Sequence, residues 1–193
     1  MERAILGEIP AEDKMANNHE PNMASLVVRD AVAADAAAIA AIYNHAVRET
    51  TAIWNDREVD AADRVAWIAE RQGAGFAVLV AEFAGAVAGY STYGPFRPHD
   101  GYRRTVENSV YITSRFQGKG VGRTLMMALI ERASHNGFHV MVAGIEAGNE
   151  ASMRLHRALG FREAGRLPQV GMKFGRWLDL AFMTRALDAR ETP

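Results

Sequence analysis

The stretch "RFQGKGVGRT", Arg115 to Thr124, lies between an apolar run, "NSVYI", and a helix-like run, "LMMALIERA". The chain must pass there from strand to helix, and Gly118, Gly120 and Gly122 alternate with bulkier residues as it does so. Glycine takes positive φ without a Cβ clash and lets backbone approach a ligand closely. A helix N-terminus adds unpaired N–H groups and the positive end of the helix dipole, which together attract anions. A tight connection with no ligand would need only one glycine. Three so close together point to a cradle for a phosphate.

The flanking patterns place this junction in a larger unit. "TVENSVYIT" reads as a strand, residues 123–136 as a helix and "HVMVAGIE" as the next strand. That order over residues 105–146 predicts a right-handed parallel crossover. In the helix, Leu125, Met126, Leu129, Ile130 and Ala133 fall on one face. Upstream, "LVVRDA" is a short strand and "AADAAAIAAIYNHAVRE" a helix with Asp35 in its first turn, where the dipole favours an acid. "DAADRVAWIAERQG" is a second helix, and "FAVLVAEF" and "AVAGYSTYG" pair as a hairpin around Ala84-Gly85. "NEASMRLHRAL" is a further helix, and "FREAGRLPQV" and "RWLDLAFMTRA" are two more strands. The expected fold is α/β (α+β), a mixed sheet of about six to seven strands with helices on both faces. No repeat or interdomain linker interrupts residues 25–193, which read as one domain.

Composition removes several function classes. Of the 193 residues 49% are apolar, and the net charge is −1. Nucleic-acid binding and a polybasic membrane anchor are therefore not expected, and no apolar run approaches the roughly 20 residues of a membrane span. The absence of cysteine excludes disulfides, thiolate metal sites and a cysteine nucleophile, and fits a reducing cytoplasm. Residues 1–24 are polar, aperiodic and hold Pro10 and Pro21, so a disordered extension is expected. Glu2, Glu8, Glu12 and Asp13, with no apolar h-region, argue against a signal peptide.

Known phosphate cradles can be tested against the spacing. A P-loop fails, because Thr113 stands at its first glycine position and Gly120 follows Lys119. A dinucleotide fingerprint fits Gly118 and Gly120 but meets Arg123 at its last position, with Glu146 as a late ribose acid. A nicotinamide-binding oxidoreductase stays open on that ground. A third pattern, Gln117-x-x-Gly120-x-Gly122, resembles the Q/R-x-x-G-x-G/A motif of the GNAT superfamily of acyl-CoA-dependent N-acyltransferases. The resemblance runs over about residues 26–187. It is nearest the phosphinothricin and methionine sulfoximine acetyltransferases, through "IYNHAV", "TTAIWN", "HVMVAGIEAGNEAS", "LHRALGF" and "GRLPQVGMKFGRWLDL".

That resemblance implies acetyl-CoA as cosubstrate, held by Gln117, Gly118, Lys119, Gly120, Val121, Gly122 and Arg123 at its diphosphate. It implies Val110, Tyr111 and Ile112 along the pantetheine arm, joined by Asn149 and Ser152. Transfer to an amine needs a group to take the ammonium proton. Glu107 is the sole carboxylate of its strand, and a charge among Val106, Val110 and Ile112 is costly unless used. The resemblance makes it the base or water-positioning group. Asn149, Ser152 and His156 share one helix face. Asn149 is also a good N-cap. His156 stands where many superfamily members carry a proton-donating tyrosine, and an exposed helix histidine is the plain alternative. The other histidines have no metal spacing, so no metal is expected.

The loop "FRPHDGYRR" and the pair Lys173 and Arg176 are basic, which suits an anionic amine such as a free amino acid. The resemblance selects Arg97-Pro98-His99 and Glu107-Asn108-Ser109 as acceptor-contacting triplets. It also implies a homodimer, with "KFGRWLDLAFM" as an interface strand. A non-catalytic acyl-CoA sensor, and transfer to polyamines, tRNA or protein termini, are the remaining alternatives.

Overall fold

A computed structural model describes residues 26–192. The expected extension at residues 1–24 lies outside the described residues. Seven strands form one sheet: β1 (Leu26–Asp30), β2 (Val78–Phe83), β3 (Ala86–Pro95), β4 (Thr105–Ile112), β5 (Val140–Glu146), β6 (Arg162–Lys173) and β7 (Arg176–Ala186). The helices are α1 (Ala36–Glu49), α2 (Ala61–Gly73), α3 (Val121–His135) and α4 (Glu150–Ala158). Strand order is β1-β2-β3-β4-β5-β7-β6, antiparallel except between β4 and β5. None of the described helices is long and apolar enough to cross a membrane.

Period-two alternation on β2 shows how the layers form. Val78 and Val80 pack with Ile39 and Ile42 of α1 and Ile68 of α2. Leu79 and Ala81 belong to the larger core on the other face, with Leu125, Leu129 and Met153 from α3 and α4. Helices thus cover both faces, and the predicted apolar stripe of α3 is buried throughout. The expected helix over 33–49 is shortened, because Ala33–Asp35 form a 3-10 turn. Asp35 stands at the N-terminus of α1, where the dipole favours an acid, and is buried there. It accepts from the Val32 amide at 2.9 Å and from Arg29 at 2.7 and 2.9 Å.

The site depends on where the parallel pair ends. β4 and β5 are in register only from Thr105–Glu107 against Val140–Val142. Beyond that the two strands part, while β3 follows β4 to Ile112 and β7 follows β5 to Glu146. Each side of the opening is therefore held by its own antiparallel neighbour.

The β6–β7 hairpin returns over the α1–α2 connection. Lys173 is buried at 5% exposure, and its Nζ donates to the carbonyls of Thr50 at 2.7 Å, Ile53 and Ala46. A Cβ on Gly171 would fall on the Trp54 ring, so that glycine is required by close approach. Lys173 is thus a staple at the C-terminal end of α1, where a cation is favoured. It is not available to a substrate anion, contrary to its expected pairing with Arg176. Lys173→Met leaves these buried carbonyls without a donor and is expected to cost about 1–3 kcal/mol. Urea denaturation of both proteins, compared at equal m-value, checks it.

Candidate active site

The glycine junction folds as a cradle. Residues Ser114–Phe116 make a 3-10 turn that drives Phe116 inward against Phe83, ring centroids 5.5 Å apart. Gly118 and Gly120 then take φ of +74° and +81°, and α3 starts at Val121. No side chain caps that helix, so its first amides stay open to an anion. Gly122 sits 3.4 Å, at a built Cβ, from Leu155 of α4, which brings the two helices together under the cradle. Gln117 and Lys119 are exposed, with Arg123 on the first turn.

A cavity of about 950 Å³ runs from this cradle along the parted edges of β4 and β5 to Thr51 and Phe174. It touches both faces of the sheet. Beyond Glu107, the β5-facing backbone of β4 has no ladder partner, which leaves Val110, Tyr111 and Ile112 able to bond a ligand. The pleat sends Tyr111 toward Tyr90 on the α1 side, centroids 5.2 Å apart, while Val110 and Ile112 face the α3–α4 core.

Glu107 lies on the α1 side, half-buried, with its carboxylate over Gly144 of β5. A Cβ there would stand 2.9 Å from Oε1, so Gly144 makes the room the carboxylate occupies. Burial pushes the Glu107 carboxyl above its ordinary range, and Arg97 opposes this from 3.9 Å. Arg97 rests on the Phe96 ring at 4.1 Å and donates to the Phe96 carbonyl at 2.7 Å. Pro98 and His99 are exposed on the same loop and do not line the cavity. Ser109 does line it.

On α4, Asn149 caps the helix, its Oδ1 accepting from the Ser152 amide at 3.1 Å. Asn149, Ser152 and His156 all face the cavity. His156 is not an exposed helix histidine. It is 2% exposed, edge-on to Phe161 at 4.9 Å, with burial holding its imidazole below the ordinary value. Its Nδ1 lies 2.9 Å from the Ser152 carbonyl and 3.4 Å from Ser152 Oγ, and its Nε2 lies 3.1 Å from Asn108 Oδ1. Asn108 donates through Nδ2 to the Val142 carbonyl at 2.8 Å. Both polar ends of Asn108 are thus committed on the α3–α4 side, away from Glu107 and Ser109, while the residue also lines the cavity.

Sequence reasoning missed the bond that spans the opening. Thr51 Oγ1 donates to Glu146 Oε2 at 3.0 Å, and the Gly148 amide to Oε1 at 2.9 Å. Glu146 therefore ties the α1–α2 connection to the end of β5. The one signal for it was an acid at a strand end, which spacing alone tied to a ribose.

The forked parallel pair, with a bare-backbone anion cradle at its mouth and Glu146 at the end of β5, makes a cleft whose chemistry suits a phosphate-bearing ligand. Residues 39–161 match the acetyltransferase (GNAT) family, and the chain belongs to it. It is 55% identical over 168 residues to an L-methionine sulfoximine/L-methionine sulfone acetyltransferase of Salmonella typhimurium, spanning 87% of this chain and 98% of the relative. A candidate acetyltransferase of Salmonella typhimurium, solved with its cofactor acetyl-CoA, superimposes with TM-score 0.86 at 54% identity, over 88% of this chain and 98% of that one. A ribosomal-protein-alanine N-acetyltransferase of Brucella melitensis gives TM-score 0.81 at 54% identity, over 83% and 99%.

The raised Glu107 carboxyl has a stability consequence of definite sign. Its neutral form is favoured in the fold, so its contribution is full below the unfolded value of 4.5 and is lost as pH rises through the folded value. Glu107→Gln, neutral at every pH, is expected to unfold at higher temperature than the parent near pH 8 and to lose that advantage near pH 4. Thermal unfolding at the two pH values reads the difference.

Proposed function

We propose that this enzyme transfers acetyl from acetyl-CoA to the α-amine of a small L-amino acid or analogue of the methionine sulfoximine, methionine sulfone or phosphinothricin type. The observation that carries the reading is the cavity that runs from the glycine cradle on one face to Ser109, Tyr111 and Gly144 on the other, with Glu107 over Gly144 and Arg97 beside it, both just outside the lining. The residues present fit the cosubstrate. The uncapped amides of α3 and the backbone at Gln117–Arg123 suit a diphosphate, and no Cβ obstructs it at Gly118 or Gly120. The unpartnered edge of Val110–Ile112, with Asn149 and Ser152 across the opening, suits an amide-bearing arm. Lys119 contributes its amide and charge, since its side chain lies outside the cavity lining.

Acetyl-CoA supplies an activated acyl group. Glu107, made more basic by burial, takes the ammonium proton directly or through one water. A β4 amide beside the fork polarises the thioester carbonyl. His156, behind the Ser152 hydroxyl, is the group placed to exchange a proton with the leaving sulfur. With no cysteine in the chain, attack is direct within a ternary complex. Arg97 stands next to Glu107 just outside the cavity lining and Arg176 lines the cavity, so each offers a guanidinium to the acid group of an amino acid. Pro98 and His99 shape the loop that carries Arg97. The name of the Brucella relative raises a second reading, transfer to a protein N-terminus, which the same assay separates.

Thiol release from acetyl-CoA is to be followed against free amino acids, their sulfone, sulfoximine and phosphinate analogues, polyamines and alanine-starting peptides. The amino-acid analogues are expected to exceed polyamines and peptides by about a hundredfold in kcat/KM. A peptide or polyamine ranking first overturns the acceptor, and thiol release with none of them leaves a sensor. Glu107→Gln should lower kcat about a hundredfold, with the loss eased at high pH where the amine deprotonates unaided.

The reading includes a homodimer built on the β6–β7 hairpin. Leu167, Val170, Met172, Phe174 and Trp177 are 44–65% exposed there, an apolar display unusual for a lone surface. Phe174 and Arg176 of this hairpin line the cavity, so a second copy laid on it would finish the acceptor wall. The proposed compartment is the cytoplasm, in keeping with a cysteine-free chain. Trp177→Asp is expected to shift the protein to monomer by light scattering and to raise the acceptor KM. A monomeric parent would refute the dimer.

A further inference from the structure

Glu146 ends β5, and by the pleat its side chain shares the α1 face with Gly144 and Glu107. Its two carboxylate oxygens bond different parts of the molecule. Oε2 accepts from the Thr51 hydroxyl at 3.0 Å, across 95 positions of sequence. Oε1 accepts from the Gly148 amide at 2.9 Å. A Cβ at Gly148 would stand 3.0 Å from that oxygen, so the bare position lets the carboxylate fold back over its own turn. Thr51, Glu146 and Gly148 all line the cavity.

The two partners belong to opposite walls. Gly148 lies in the turn that starts α4 and carries Asn149, whose Oδ1 accepts from the Ser152 amide. That turn is already fixed to the sheet, because the Ala147 amide donates to the Asp179 carbonyl of β7 at 2.9 Å. Thr51 lies in the α1–α2 connection that faces it. Lys173 grips this connection from the hairpin side through the Thr50 and Ile53 carbonyls, and the Trp54 indole braces it internally, donating to the Thr51 carbonyl at 2.8 Å. Those bonds set how the connection sits against the hairpin. They do not set its distance from β5. Among the described residues, the Thr51 hydroxyl makes the one hydrogen bond that joins residues 50–54 to β5 or α4.

We propose that Glu146 is a positioning residue for the acyl transfer, its carboxylate locking the Thr50–Ala52 wall to the turn that carries Asn149 and Ser152 and so setting the width of the opening where amine and thioester meet. The kinetic consequence rests on the proposed reaction, whereas the lock itself is observable without turnover. Charge is not what the lock requires. The Gly148 amide can only donate, but a threonine hydroxyl donates or accepts. A glutamine at 146 can therefore turn its carbonyl to Gly148 and its amide nitrogen to Thr51 Oγ1, keeping both bonds without the charge. An alanine keeps neither. The two substitutions thus separate positioning from a direct substrate contact by the carboxylate, which both would abolish.

The test uses the full chain, with Thr51→Val, Glu146→Ala, Glu146→Gln and the pair Thr51→Val with Glu146→Ala. Hydrogen exchange of the amides of residues 51–54, read by mass spectrometry without ligand, reports the lock. Exchange there is expected to be about tenfold faster in Thr51→Val and in Glu146→Ala than in the parent, and unchanged in Glu146→Gln. The pair should exchange no faster than Glu146→Ala, since both changes remove the same bond. In thiol release, Thr51→Val should raise the acceptor KM about tenfold and leave the acetyl-CoA KM within about twofold. Glu146→Ala also frees the Gly148 turn and should raise both, and Glu146→Gln should recover most of the loss. Exchange equal to the parent's in Thr51→Val and Glu146→Ala, or additive in the pair, overturns the lock. Thr51→Val reports the same bond if Glu146→Ala does not fold. A Glu146→Gln as impaired in turnover as Glu146→Ala means that the charge itself meets substrate, and overturns the positioning role. A parent that releases no thiol overturns the proposed reaction, and the ligand-free exchange still decides the lock.

Discussion

The structure depends on a parallel ladder that stops after three residue pairs. A sheet normally gains by pairing every backbone group, and unpaired buried groups are costly. Here β4 and β5 give up that pairing in the middle of the molecule, which opens a path between the faces. The opening survives because neither strand is an edge: β3 holds β4 and β7 holds β5 over their whole lengths. At the base of the fork Asn108 supplies a side-chain bond to Val142. At the rim Thr51 and Glu146 bridge the two sides.

Two titratable groups flank this opening on opposite faces, and burial moves them toward each other. The Glu107 carboxyl is pushed up and the His156 imidazole is pushed down. Both shifts favour the neutral form and have the same cause, removal from water. The cradle needs the reverse environment, since an anion must be met by uncompensated N–H groups, and it lies on the exposed rim where Gln117–Gly120 face solvent.

Local pattern carried most of the architecture. The cradle was legible because strand, glycines and helix are contiguous, and the α3 stripe because Leu125, Met126, Leu129, Ile130 and Ala133 repeat within one helix. Glu107 was legible because an acid in an apolar strand needs a reason. What escaped were residues whose partners are distant in sequence. Lys173 reaches Thr50 across 123 positions, His156 reaches Asn108 across 48, and Asn108 reaches Val142 across 34. No period or spacing encodes such pairings. Lys173 looked like a substrate-facing cation because its neighbours in the chain are basic, whereas its neighbours in space are carbonyls.

The pleat of β4 explains why Glu107, Asn108 and Ser109 cannot act as one contact triplet. Successive side chains point to opposite faces, so Glu107 and Ser109 turn toward α1 and Arg97 while Asn108 turns toward His156 and α4. A substitution at 107 or 109 acts on the α1 face of the fork. One at 108 acts on the opposite side, where Asn108 meets His156 and the Val142 carbonyl. Neighbouring positions in the chain thus face separate compartments, because the strand that carries them is itself the wall between the two.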